Sequence, residues 1–143
     1  MSQVSVIIAA GQTSTTAALS ALSRDSQIQV TACVTDVAEI FNARTGPAPH
    51  IVLIDFTAVS ESHYALLAEL RRSYPNTRVI FLCDDPDQTK LVDAFRYGAS
   101  GYLEAKDSDL FLAKAVRAVS DGEAWVPRRF VTKIVERLTQ TGS

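Results

Sequence analysis

Residues 50–57, HIVLIDFT, run four apolar side chains directly into one aspartate, Asp55. A continuous apolar run suits a strand covered on both faces, because strict alternation is expected only where one face meets water. The same texture recurs at VSVIIAA (4–10), IQVTACV (28–34), RVIFL (78–82) and SGYL (100–103). Between these runs the apolar spacing changes to three and four. Ala18, Ala21 and Leu22 mark one helix, Val37, Ile40 and Phe41 a second, and Leu66, Leu67 and Leu70 a third. Leu91, Ala94 and Phe95 mark a fourth, and Leu112, Ala115, Val116 and Val119 a fifth. Each set supplies one buried stripe. Strand–helix alternation of this kind predicts an α/β fold, a doubly wound, five-stranded parallel sheet with helices on both faces.

Punctuation agrees with that reading. Gly46-Pro47 and Pro49 break the chain before the third strand, and Tyr74-Pro75-Asn76 ends the third helix. Gly98 and Gly101 bracket the turn into the fifth strand. Asp107 or Ser108 is placed to cap the fifth helix, and Asp121-Gly122 to end it. Residues 1–122 thus form the expected domain. Residues 123–143 are expected to carry a sixth helix that starts near Pro127, with Phe130, Val131, Ile134, Val135 and Leu138 as its apolar stripe. The final TGS has linker composition, so this segment is read as leading toward a further domain.

Composition narrows the class. The chain has 143 residues, 47% of them hydrophobic and 21% charged, which suits one globular domain. Fourteen basic against sixteen acidic residues leave a net charge of -2, and the basic residues are scattered along the sequence. A domain built to neutralise phosphate backbones normally has a basic excess, so direct DNA contact is not expected. The N-terminal MSQVSVIIAAG has no basic leader, and its apolar run is too short for a membrane span. A cytoplasmic setting is expected, with Cys33 and Cys83 as reduced thiols and Cys33 in the core.

In open parallel sheets, ligands gather at the carboxyl ends of the strands, and Asp55 is at such an end. Together with GASGYLEAKD (98–107) and AVRAVSDGEAWVPRR (115–129), it makes residues 3–129 resemble a response-regulator receiver domain. The resemblance is to the NarL/LuxR (FixJ) branch, whose receivers precede a helix-turn-helix. It implies a flavodoxin-like sheet in the order 2-1-3-4-5. It also implies a third-strand phosphoacceptor fed by a histidine kinase, and an acidic pair after the first strand that joins it to hold Mg²⁺. A Thr or Ser ending the fourth strand, a Lys ending the fifth and a switch aromatic on the fifth complete the implied set. The chemistry is coherent, since Mg²⁺ prefers carboxylate oxygens and phosphoryl transfer needs cations against the moving charge.

This sequence departs from that pattern at most of those positions. Ala10 and Gly11 stand where the acidic pair belongs, and Cys83 stands at the hydroxyl position. Ala105 falls at the lysine position with Lys106 one residue on, where strand alternation turns it away unless the strand end bulges. Tyr102 keeps the switch aromatic. Removing one well-placed group from such a site costs about 2.7–4 kcal/mol in rate terms, and three are altered. Asp55 therefore reads either as a slow phosphoacceptor or as a relic carboxylate hydrogen-bonded to nearby backbone. Tight Mg²⁺ binding is not expected, and no other metal or cofactor is implied.

The remaining candidates have two readings each. Asp84-Asp85 either lends a carboxylate to the crevice or forms a solvated loop before Pro86. His50 and His63 lack metal-ligand spacing and read as structural or exposed. Trp125 and Arg128 partly match a motif with which a subset of related regulators binds cyclic di-GMP, but Pro127 replaces its hydroxyl. An aromatic face and a guanidinium can hold a phosphorylated base, yet the same residues make an ordinary helix boundary or dimer contact. The expectation is a signalling and interaction module, not an enzyme, that acts as a homodimer. DNA would be reached only through a downstream helix-turn-helix.

Overall fold

The computed structural model describes residues 3–43, 47–55, 61–84, 88–132, 135–136 and 139. The loop after Asp55, Asp85 with Pro86, and Ile134 with Leu138 lie outside the described residues, as do the side chain of His63 and the final TGS. The elements run β1 (Val4–Ala9), α1 (Gln12–Leu22), β2 (Ile28–Val34), α2 (Ile40–Ala43), β3 (Ile51–Asp55) and α3 (Glu61–Ser73). They continue with β4 (Arg78–Cys83), α4 (Gln88–Arg96), β5 (Gly101–Glu104) and α5 (Ser108–Ser120). All strand pairs are parallel, and the sheet order is β2-β1-β3-β4-β5, as the sequence reading expected.

The apolar runs form strands because both faces are covered. Ile51, Val52, Leu53 and Ile54 are all fully buried. Their side chains alternate between two cores. Val52 and Ile54 join Leu67 and Leu70 of α3, Leu91 and Ala94 of α4, and Phe130. Ile51 and Leu53 join Ala18 and Leu22 of α1 and Leu112 and Val116 of α5. Arg24 pairs with Asp109 and Arg117 with Asp25, tying α1 to α5 across the outer surface.

Cys33 is a correction: it is exposed, not core. Along β1, Val6 pairs with Val30 but Ile7 pairs with Ala32, so Thr31 is an extra residue in β2. Such a bulge moves every later side chain to the opposite face. Ile28 and Val30 accordingly pack toward the α1–α5 core, and Ala32 and Val34 toward the other. Cys33 is left facing outward at the sheet's edge. Partial burial still pushes its thiol pKa up.

The opposite edge is covered by the chain itself. After α5 the backbone returns along β5, where Tyr102 N–H donates to Trp125 O at 2.8 Å and Trp125 N–H donates to Ser100 O at 3.1 Å. Gly101 lies where a Cβ would meet Ile80 Cγ1 at 3.1 Å and Val119 Cγ2 at 3.2 Å, which lets α5 pack this closely. Pro127 precedes a short 3-10 turn, Arg128–Phe130, and residues 131–132, 135–136 and 139 are helical. Of the expected stripe, Phe130 is buried while Val131 and Val135 are exposed.

Candidate functional site at the carboxyl rim

Ala9 pairs with Ile54, so Ala10 and Gly11 follow beside Asp55 at the rim. Ala10 is buried, and Gly11 caps α1 with an extended backbone and no side chain to offer. Asp55 is half-buried at the end of β3, level with Leu82 of β4. Ser14, in the first turn of α1, donates its hydroxyl to Asp55 Oδ2 at 3.3 Å. The distance is at the weak end for a hydroxyl donor. A helix N-terminus carries partial positive charge, so a carboxylate is favoured there without a metal.

The described rim residues do not fit Mg²⁺. That ion needs near-octahedral oxygen ligands, usually with more than one carboxylate or a phosphate. Among the described residues no three His, Cys, Asp or Glu side chains gather to hold a metal. Asp84 is exposed just beyond β4.

The other switch and cation positions are also rearranged. Cys83 is completely buried and packs in the α3–α4 core, a small volume where a hydroxyl would otherwise need a partner. Tyr102 is completely buried as well, so its ring occupies the inward position. β5 ends at Glu104, and Ala105–Asp107 is a 3-10 turn. Ala105 is half-buried, whereas the Lys106 side chain is 68% exposed with its Nζ 3.4 Å from Glu104 Oε2. Lys106 is thus engaged by its neighbour at the surface. No bulge turns it inward.

Ser14 and Glu104 are rim residues that the sequence reading missed. Glu104 is only 4% exposed, and β5 pairs it with Cys83. Strand alternation from Tyr102 gives the signal, since position 104 must share its face. Ser14 had only a hydroxyl-rich first helical turn, QTSTT, to mark it. His50 is structural: its Nδ1 accepts the Ser5 backbone N–H at 2.9 Å.

Trp125 and Arg128 line a groove of about 630 Å³ where the returning segment peels away from β5. Phe111 and Trp125 form its aromatic wall, ring centroids 6.4 Å apart and tilted by 41°. Lys106 and Arg128 supply cations, and Glu104 and Asp107 acids.

The oxygen regulatory protein NreC of Staphylococcus epidermidis is 26% identical over 115 residues, covering 80% of this chain and 53% of NreC. NreC of Staphylococcus aureus is 25% identical over 123 residues, covering 85% of this chain and 57% of its own. The chain is similar to receiver domains of the NarL/LuxR branch of response regulators. Solved structures share its fold. A LuxR-family regulator of Aurantimonas has a TM-score of 0.81 at 18% identity, over 97% of this chain and 99% of that one. The apo receiver domain of RcsB from Salmonella enterica serovar Typhimurium also gives 0.81 at 18% identity, over 94% and 99%. No family model matches the sequence. The chain spans about half the length of the curated relatives it matches. No helix among the described residues is long and apolar enough to cross a membrane.

Proposed function

We propose that this receiver works through dimerisation or partner contacts rather than through phosphorylation of Asp55. One observation carries the reading. The rim that should gather Mg²⁺, a phosphoryl group and a lysine instead presents Ala10 and Gly11 beside an Asp55 that accepts from Ser14, with Lys106 engaged by Glu104. Asp55 would then be a relic carboxylate, Cys83 and Ala105 packing replacements, and Tyr102 a core residue. Residues 1–122 would be the signalling unit, with 123–143 leading to a helix-turn-helix that contacts DNA. One solved relative is described as two RcsB dimers bound to two parallel DNAs, which makes a homodimeric output a natural reading here. A cytoplasmic setting follows from the same role.

The test is intact-protein mass after incubation with acetyl phosphate and Mg²⁺. No phosphoryl adduct is expected under conditions that modify a typical receiver. A stoichiometric adduct that disappears in Asp55→Asn would overturn the proposal and restore a histidine-kinase phosphorelay. Light scattering across a concentration series should show dimer, and a strict monomer at every concentration would remove the dimerisation half.

A second reading rests on the groove at Trp125 and Arg128. Its volume suits a small ligand, and an aromatic wall beside a cation suits a planar anion. Under this reading the receiver is a small-molecule or cyclic-dinucleotide sensor. A thermal-shift screen should then yield at least one stabilising compound whose effect is lost in Trp125→Ala, because a ligand that binds only the folded state raises its stability by mass action.

A further inference from the structure

The basic residues look scattered in sequence, but the fold gathers three of them. Arg71 and Arg72 end α3, and Arg78 opens β4. All three line one cleft of about 540 Å³ at the amino-terminal end of β4 and β5, the pole opposite Asp55. No acidic side chain lines it among the described residues. In a chain of net charge -2, that is a local excess of cation. Arg72 is paired with Glu69, whose carboxyl is held below the usual range by hydrogen bonds from Arg72 and Ser73. Arg71 and Arg78 make no ion pair among the described residues.

The negative end of the α3 dipole accounts for cations in that helix's last turn, Arg71 and Arg72. It does not account for Arg78, which belongs to β4. Arg71 also packs against a glycine. Its side chain lies across Gly98, at φ +106, where a Cβ would meet Arg71 Cδ at 2.7 Å and Nη1 at 3.0 Å. Ser100 brings a hydroxyl to the same cleft, and Thr77 is already engaged with Pro49 O at 2.6 Å.

We propose that this cleft binds a small phosphate-bearing dianion. Two guanidiniums without an ion pair among the described residues match the charge of about −1.5 to −2 on a phosphate monoester, and their planar forks suit its oxygens. Among the described residues the wall has no aromatic ring on which a base could stack, so a compact phosphorylated molecule fits better than a nucleotide. Ser100 gives such a ligand a route to the output side, because its carbonyl accepts the Trp125 N–H that holds the returning segment on β5.

The experiment titrates the protein with inorganic pyrophosphate while following backbone amide shifts, with sulfate at matched ionic strength as control. Saturable shifts centred on Gly98 and Ser100 are expected, weakened at least tenfold in Arg71→Gln/Arg78→Gln and unchanged in Arg24→Gln. Equal shifts with sulfate, or an undiminished response in the double variant, would overturn the proposal. Amide spectra of the free double variant check that it folds; should it not, Arg78→Gln alone must show the weakening. A phosphoserine peptide that saturates the same amides more tightly than pyrophosphate would reassign the cleft to a protein partner and sink the small-ligand claim.

Discussion

Along β3, Ile51 to Ile54 lie fully buried between two helical layers, while the next residue, Asp55, is half-buried at a rim where Ala10 and Gly11 offer no ligating side chain. The interior and the rim answer to different constraints. Every interior position is held by neighbours on both faces, and a change of one methylene is felt throughout a close-packed core. The rim faces solvent, so acids and a lysine can be lost there with little effect on folding. On the proposed function, a receiver scaffold persists without its phosphorylation chemistry. Sequence similarity across the fold says little about whether Asp55 is active.

That contrast can be broken or sharpened by substitution. The largest effect is expected in the interior: Phe81→Ala should destabilise by about 3–5 kcal/mol, the usual loss for a buried aromatic, read from denaturant midpoints. A loss below about 1 kcal/mol would mean the interior is as tolerant as the rim. Lys106→Ala should cost about 1 kcal/mol or less, because Lys106 is mostly exposed even though its partner Glu104 is buried. A larger loss would show that the pair supports the end of β5. Asp55→Asn should change stability by about 0.5–1 kcal/mol, since the hydrogen bond from Ser14 that it weakens is long. A strong stabilisation would instead reveal unrelieved charge at the rim. The smallest effect is kinetic. Native protein should expose one slowly reacting thiol, Cys33, and Cys83 should react only after unfolding. The raised Cys33 pKa leaves less thiolate at neutral pH, so its alkylation should climb until pH passes above the ordinary thiol range. A fast reaction at neutral pH would contradict that burial.

Much of the scaffold was legible because its signals are local. Apolar runs, three-four spacing and the proline and glycine breaks mark each element, and the stripped positions Ala10, Gly11 and Ala105 could be counted from the strand ends. Cys33 was misread because the bulge at Thr31 depends on how β2 registers against β1, which residues within β2 do not reveal. Glu104 was missed because a carboxylate at a strand end looks solvent-facing until the turn that follows folds Lys106 back over it.

The sequence by itself determined the parallel α/β scaffold and the loss of the acidic pair, because both are properties of which residue follows which. Only the tertiary structure decided that Ser14 reaches Asp55, that Trp125 closes the edge of β5, and that Arg71 and Arg78 share one cleft. Those pairings join residues far apart in the chain, and their contact depends on strand register and helix packing.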